Sequence, residues 1–267
     1  MTSLPARGPE AAGLYYEVHG REDAPPLVLS SGLGGSADYW KPNLRALALH
    51  FRVIAYDHRG TGRSDRALPA TVSVDDLADD IAALLDALGL ARAHVLGHAA
   101  GGVAGLALAL RQPQRVRKLI VVNGWASPDP HFLRCFAMRL ALLRDSGPEA
   151  YLRAQPLFLY PAAWISEHSA ALDAELTHQL ASFPGRETME KRIAALAAFA
   201  VLDKLERLAV PMLALAARDD MLVPYTASEA FEAAPYASTA WMSWGGHACN
   251  VTDPGTFNLL VLDYLKG

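Results

Sequence analysis

The sequence predicts an α/β fold, in which a mainly parallel sheet carries helices on both faces and a helical cap is inserted between two strands. Two observations support this prediction. Short β-rich runs alternate with helical stretches, as in parallel sheets built from strand–helix–strand units. The runs are LYYEVHG, PLVLSSG, RVIAYDHRG, AHVLGHA, KLIVVNG, PMLALAA and TAWMSW. A long helix-rich tract without strand alternation separates the fifth run from the sixth.

Between the third and fourth runs, the clearest helix is predicted from Val74 to Leu88. Its apolar residues recur at helical spacing. Ser73, followed three residues later by Asp76, is a capping signal at the start, and Gly89 can end the helix. The acidic face of this helix is typical of a solvated surface rather than of a metal site.

The tract from Ala126 to Ala209 is predicted to form the cap. An insertion at the carboxyl edge of a parallel sheet lies over the place where such sheets bind ligands. Breaks between the cap helices are predicted at Pro128, Pro130, Gly147, Pro156, Pro161 and Pro184.

Composition limits the classes of function. The chain of 267 residues is expected to form a single domain over 1–267. A net charge of −4 gives no evident basic face, so nucleic acid is not an expected partner. The start, MTSLPARGPE, lacks the apolar segment of a signal peptide, and the longest apolar run, IAALAAFAVL, is shorter than the roughly 20 residues that span a membrane. We therefore expect a cytoplasmic protein without a membrane partner.

The cysteines Cys135 and Cys249 lie far apart and neither belongs to a CxxC pair, so we expect neither a disulfide nor a metal site. No other cofactor is expected, and the expected partner is a small-molecule substrate. The broad apolar content permits a homodimer, although no helix pattern demands one.

Three segments that follow predicted strands carry the candidate chemistry. GHAAG, residues 97–101, stands where the nucleophile elbow G-x-S-x-G of α/β-hydrolases belongs, with Ala99 at the position of the serine. The acid is predicted at Asp220, four residues before a proline, with Asp219 as the alternative. His247 follows the last strand, where the superfamily has its histidine. The chain order of elbow, acid and histidine is that of the superfamily.

Two further loops support this assignment. SGLGGS, residues 31–36, resembles the HG-x-G loop of the superfamily and is predicted to present the backbone N–H of Leu33. Together with the N–H of Ala100, it would form an oxyanion hole. DHRGTGRS, residues 57–64, resembles the D-x-R-G-x-G-x-S turn of the superfamily and is predicted to be mainly structural.

Beyond the superfamily, the chain closely resembles the RutD family of bacterial pyrimidine utilisation. The resemblance covers nearly the whole chain, and its residues are SSGLGGSADYW, YDHRGTG, VLGHAAG, VVNGW, RCF, AQPLFLYPAAW, DDMLVP and GGHACNVTDPGTFN. It implies an α/β-hydrolase that accelerates the breakdown of 3-aminoacrylate or of carbamate. It also implies that alanine at position 99 belongs to the family pattern.

An alanine at the elbow restricts the chemistry. Removing the serine from a Ser-His-Asp enzyme costs on the order of a millionfold in turnover, so stable esters are poor candidate substrates. 3-Aminoacrylate and carbamate decompose unaided, and a modest acceleration is enough for them. The hypothesis is that Asp220 orients His247, which moves protons between the substrate and a water molecule.

The residues that contact the substrate are harder to predict. Residues after the fifth strand and in the cap are candidates, namely Asn123, Trp125, Tyr160 and Trp164. A substrate carboxylate would favour a cation, and the spacing leaves open which cap arginine points inward among Arg134, Arg139 and Arg192. His98 is predicted to be a buried packing residue rather than a second base.

Other functions stay open at this stage. One is an ordinary serine hydrolase, such as an enol-lactonase or esterase, in which serine has been replaced by Ala99. Another is a small-molecule-binding relative without catalysis, although the retained Asp220 and His247 argue against it. A third is a lyase or oxygenase that uses the same two residues without a cofactor.

Overall fold

One seven-stranded sheet forms the centre of the computed structural model. The structure describes residues 11–267, so the predicted absence of a signal segment in MTSLPARGPE falls outside the described residues. The strands are β1 (Tyr16–His19), β2 (Pro26–Ser30), β3 (Arg52–Tyr56), β4 (Ala93–His98), β5 (Val116–Val122), β6 (Met212–Ala217) and β7 (Ala237–Met242). Their order is β1-β3-β2-β4-β5-β6-β7, and only β1 runs antiparallel to its neighbour. The predicted α/β class and mainly parallel sheet are confirmed.

Helices surround this sheet. They are α1 (Lys41–Ala48), α2 (Val74–Ala87), α3 (Ala100–Arg111), α4 (Pro130–Ala141), α5 (Gly147–Leu159), α6 (Ala162–Ser182), α7 (Arg186–Ala198), α8 (Tyr225–Glu229), α9 (Cys249–Thr252) and α10 (Pro254–Lys266). None of the helices in residues 11–267 has both the length and the apolar character that a membrane crossing requires.

The strands bury alternate residues on opposite faces of the sheet, as their period of two requires. Leu27 and Leu29 of β2 pack with residues of α1 and α10, whereas Val28 packs with residues of α2 and α3. Because both faces are covered, the strands read as continuous apolar runs. Their carboxyl ends remain for the loops that carry the candidate site.

The helix predicted from Val74 to Leu88 ends one residue earlier, at Ala87. Ser73 accepts a hydrogen bond from the Asp76 N–H, and the Asp76 side chain accepts one from the Ser73 N–H. This capping box is the one that the sequence predicted. Gly89 follows the helix at a φ of 66°, a conformation that favours glycine.

Helices α4 to α7 occupy the tract between β5 and β6 where the cap was predicted. Most predicted breaks lie at helix ends, but the one at Pro156 is wrong because α5 continues through it to Leu159. Proline has no backbone N–H, so the carbonyl four residues earlier loses one helical hydrogen bond. Because Pro156 lies in the last turn of α5, only three residues of the helix follow it.

Candidate active site

The turn between β4 and α3 holds Ala99 in a strained conformation, with φ 45° and ψ −106°. Non-glycine residues rarely occupy this region, and such strain costs of order 1–3 kcal/mol. Backbone hydrogen bonds hold the turn on both sides. The Ala99 N–H donates to the Val122 carbonyl over 2.8 Å, and the Val103 N–H donates to the Ala99 carbonyl over 2.9 Å.

Glycines on either side let the strand and the helix meet closely. A Cβ atom at Gly97 would overlap the backbone of Gly101, and one at Gly101 would overlap the carbonyl of Ser30. The elbow geometry of the superfamily is therefore present around position 99, with a methyl group in place of the hydroxymethyl group of serine.

Asp220 and His247 are in direct contact. The Nδ1 atom of His247 lies 2.7 Å from Oδ2 of Asp220, and both side chains are almost completely buried. A carboxylate only accepts, so Nδ1 carries a proton and the neutral ring has its lone pair on Nε2. Within the described residues, Nε2 has no hydrogen-bond partner. This arrangement presents a base, or once protonated an acid, to whatever lies beside Nε2.

The second oxygen of Asp220 fixes the carboxylate in place. Its Oδ1 accepts hydrogen bonds from the N–H groups of Leu222, at 2.8 Å, and Val223, at 3.0 Å. Asp219, the alternative acid, instead accepts from the Gly246 N–H over 2.9 Å. Asp219 thus holds the loop that carries His247 and does not contact the imidazole.

Asn123 anchors the same loop from below. Its amide donates to the His247 carbonyl over 2.7 Å, and its oxygen accepts from the Ala217 N–H over 3.0 Å. The side chain is completely buried, and the backbone has a φ of 48°. The prediction that Asn123 contacts substrate is corrected, because its amide is committed to the loops after β6 and β7.

His98 is the second support of the His247 carbonyl, which lies 2.7 Å from its Nε2. Nε2 must therefore donate, and Nδ1 has no proton in the neutral ring. Burial, together with the charge of a protonated His247, holds the pKa of His98 well below its usual range. The ring packs against Tyr39, with centroids 4.9 Å apart. His98 is thus a neutral packing residue that positions the loop.

These elements enclose a cavity of about 730 Å³ at the carboxyl ends of the parallel strands. Of the predicted site residues, those that line it are Leu33, Ala99, Ala100, Trp125, Tyr160 and His247. Trp164 is not in the lining, and its ring stacks on His168 at 4.0 Å. The prediction that Trp164 contacts substrate is corrected. The cap contributes the opposite wall, as expected of a cap inserted at this edge.

Residues 25–255 match the alpha/beta hydrolase fold family. A protein from Caulobacter sp. (strain K31), named "Putative carbamate hydrolase RutD", is 53% identical over 96% of this chain and 96% of its own. A protein of the same name from Agrobacterium fabrum (strain C58) is 46% identical over 94% of this chain and 98% of its own.

The chain belongs to the RutD family of α/β-hydrolases. Among solved structures, it is similar to the enol-lactonase from Burkholderia xenovorans LB400, with a TM-score of 0.86 and 26% identity. That match covers 95% of this chain and 96% of the enol-lactonase. The chain is therefore a hydrolase.

In this RutD-family chain, two residues that line the cavity together with Ala99 have free backbone amides within the described residues. The N–H groups of Leu33 and Ala100 donate to no acceptor among residues 11–267, and both residues line the cavity. Ala100 is also the first residue of α3, and a helix N-terminus favours negative charge. The pair can hold a carboxylate or an oxygen on which negative charge develops.

A buried arginine from the cap supports the same loop. Arg192 of α7 donates to the Leu33 carbonyl over 3.1 Å and to Nδ1 of His58 over 2.9 Å. Nε2 of His58 then carries the proton and donates to Oγ of Ser30 over 3.0 Å. Burial lowers the pKa of Arg192 to about 10 and holds that of His58 well below its usual range.

Spacing along the sequence does not show this connection, because it leaves open which way Arg192 points. The sequence does carry one signal for it, since Arg192 lies on the buried face of a helix between Met189 and Ile193. The other buried cap arginine is Arg139 of α4, which lines the cavity, whereas Arg134 is exposed.

Proposed function

We propose that this hydrolase converts 3-aminoacrylate and water to malonic semialdehyde and ammonia. The observation that supports this most strongly is the methyl group of Ala99 in a site whose elbow, amide pair and Asp220–His247 contact are otherwise intact. A carboxylic ester or an unactivated amide needs a strong nucleophile, which this site lacks. An enamine that tautomerises to an imine needs mainly a proton donor and a base.

The dyad would act in two stages. Protonated His247 first donates its Nε2 proton to the α-carbon of the enamine, which produces an iminium ion. Neutral His247 then removes a proton from a water molecule as its oxygen attacks the iminium carbon. The imidazolium returns this proton to the amine, and the C–N bond breaks with release of ammonia. The hydroxyl proton leaves to solvent, and the aldehyde remains.

Asp220 would keep His247 in the useful tautomer throughout and stabilise the imidazolium. The amides of Leu33 and Ala100 would stabilise negative charge that develops beside residue 99. Without a hydroxyl there, no covalent ester forms with the protein. General acid–base catalysis of this kind contributes typically about 10²–10⁴-fold.

Carbamate is the second candidate, because the relatives at 53% and 46% identity carry the name carbamate hydrolase. It also decomposes unaided, and its hydrolysis releases ammonia together with bicarbonate. The same dyad would deliver the proton to its nitrogen. The two candidates differ in the carbon-containing product.

The deciding experiment generates 3-aminoacrylate in a coupled assay and follows ammonia and malonic semialdehyde with and without the protein. We expect faster release with the wild-type chain and only the spontaneous rate with His247→Ala. His50→Ala, at an exposed histidine, is the matched control and should keep the full rate. Equal rates with and without the wild-type protein would refute the proposal. Acceleration of bicarbonate release from carbamate alone would support the second candidate.

The water route has a separate test. Mass spectrometry during turnover should detect only the unmodified mass of the protein. A covalent adduct on the chain would contradict the proposed route. Ala99→Ser should add slow hydrolysis of activated aryl esters, because the elbow geometry around position 99 is already present.

A further inference from the structure

Arg139 is a buried cation without an acidic partner. Its side chain lies on α4 with 3% exposure. Among residues 11–267, no carboxylate oxygen lies within 4.0 Å of its guanidinium, since it takes part in none of the ion pairs. Its Nη2 donates to the hydroxyl of Tyr151 over 2.8 Å and to the side-chain oxygen of Gln155 over 2.5 Å. Both partners are neutral, so the positive charge is not balanced.

The surroundings compensate this charge only in part. The guanidinium lies 5.3 to 5.8 Å from the ring centroids of Tyr151, Phe136 and Phe158. Ring faces attract cations, but such contacts are weak beside an ion pair. A buried charge without a counter-ion is costly. A site of this kind stabilises an anion that enters it.

A second unsatisfied donor belongs to another residue of the same cavity lining. The Nε atom of Arg139 and the indole Nε1 of Trp125 are both buried and without an acceptor in the described part of the chain. Trp125 contacts Phe132, which contacts Phe136, and both phenylalanines share one face of α4 with Arg139. Trp125, Phe136 and Arg139 all line the cavity.

The chemistry of this wall selects one class of ligand. A guanidinium and an indole N–H only donate hydrogen bonds. Their ligand must offer acceptors and negative charge, and a planar carboxylate matches the guanidinium geometry. Arg134 and Arg192 do not compete, because Arg134 is exposed and Arg192 donates to Leu33, Arg59 and His58.

We propose that Arg139, assisted by the indole N–H of Trp125, forms a carboxylate-binding subsite in the cavity that His247 also lines. The subsite binds the carboxylate of the molecule that is hydrolysed, and to that extent the inference rests on the proposed function. It leaves the amides of Leu33 and Ala100 for the charge that develops at the reacting carbon. Arg139 is thereby the residue that selects carboxylates over neutral analogues.

Binding of an unreactive pair of ligands tests the subsite without any turnover. Propionate and propionamide have nearly the same shape and differ in charge. In calorimetry on the full chain, propionate should bind at least about tenfold more tightly than propionamide, since charged hydrogen bonds contribute about 1.5–3 kcal/mol. Propionate should also shift the indole N–H resonance of Trp125, and propionamide should not. Equal affinities for the two ligands would overturn the proposal.

Two substitutions locate the effect. Arg139→Met should weaken propionate binding about 10- to 100-fold and leave propionamide binding unchanged. Arg134→Met, at an exposed position of the same helix, is the matched control and should bind propionate like the wild type. If Arg139→Met does not fold, Arg139→Lys keeps the charge but not the planar fork and should weaken propionate binding by a smaller factor. Unchanged propionate binding in a folded Arg139 variant would also overturn the proposal.

The failure of this inference is distinguishable from failure of the proposed function. If the wild-type chain prefers propionate through Arg139 but does not accelerate 3-aminoacrylate hydrolysis, the subsite is supported and the proposed function is refuted. If the wild type and Arg139→Met both accelerate the reaction with the same KM, the proposed function is supported and the subsite is refuted. Where both hold, Arg139→Met should raise KM more than it lowers kcat.

Discussion

Asp220 has a separate task for each carboxylate oxygen, and two substitutions can separate the tasks. One oxygen contacts Nδ1 of His247, and the other accepts from the N–H groups of Leu222 and Val223. Asp220→Asn can keep its oxygen on the two amides and turn its NH₂ toward the imidazole. Asp220→Ala removes both sets of contacts. The two variants should therefore differ in stability but not in activity.

The expected loss of activity comes from the tautomer. An NH₂ group beside Nδ1 of His247 forces that nitrogen to accept, so the proton moves to Nε2 and the base is lost. In serine proteases, the corresponding change costs about 10⁴-fold. Here the loss cannot exceed the acceleration over the spontaneous reaction. Both Asp220 variants should release ammonia from 3-aminoacrylate at the spontaneous rate.

The expected stabilities follow from the hydrogen bonds. Asp220→Asn keeps the acceptor for Leu222 and Val223 and loses one charge-assisted bond, at a cost of about 1–3 kcal/mol. Asp220→Ala also leaves two buried N–H groups without an acceptor, each at about 1–3 kcal/mol, or about 2–6 kcal/mol more in total. The free energy of unfolding should therefore fall clearly further in Asp220→Ala.

Urea unfolding followed by tryptophan fluorescence measures the stabilities, and the coupled ammonia assay measures the rates. Asp219→Asn is the matched control, because an amide oxygen can still accept from the Gly246 N–H. It should change neither quantity appreciably. Wild-type activity in Asp220→Asn would refute the tautomer argument. Equal unfolding free energies for Asp220→Asn and Asp220→Ala would refute the assignment of the second oxygen.

Stability should also depend on pH and on the cap arginine. Burial holds the pKa of His58 and of His98 well below the usual range and lowers the pKa of His94 to about 4. Below about pH 6.5 the unfolded chain binds more protons at these three histidines than the folded chain does. The free energy of unfolding should therefore decrease as the pH is lowered, by up to about 1.4 kcal/mol per pH unit for each histidine. Urea midpoints that stay constant from pH 7 to 5 would contradict this. Arg192→Met should lower the free energy of unfolding by about 1–3 kcal/mol, because the Leu33 carbonyl loses its donor; an unchanged urea midpoint would mean that this contact contributes nothing.

Local patterns were sufficient to predict much of the fold. Each of the seven predicted runs overlaps a strand, and the signals at Ser73 and Gly89 place the ends of α2 to within one residue. These signals depend on residues that are close in sequence. The break predicted at Pro156 failed because the end of α5 is set by its packing against α6 and by the bond from Tyr160 N–H to the Pro156 carbonyl, not by one proline.

The candidate site was likewise predictable only where local sequence motifs define it. Motifs placed Ala99, Asp220 and His247 at strand ends, and the parallel sheet brings such ends to one edge. Contacts to substrate were harder, since the positive φ of Asn123 turns its amide toward the His247 loop. The orientation of Arg139 depends on contacts that α4 makes with α5, which follows it after the π-helical turn Leu142–Ser146. Spacing along the chain does not contain that information.

The strained turn at residue 99 has a consequence for the catalytic route. Its shape is imposed by Gly97, Gly101 and the backbone bonds to Val122 and Val103, and the side chain of Ala99 takes no part in them. Exchanging the methyl group for a hydroxymethyl group there would leave these backbone contacts unaltered. The fold at this turn therefore accepts either residue, so under the proposed function the route through water needs no change in the scaffold, only a substrate that decomposes readily.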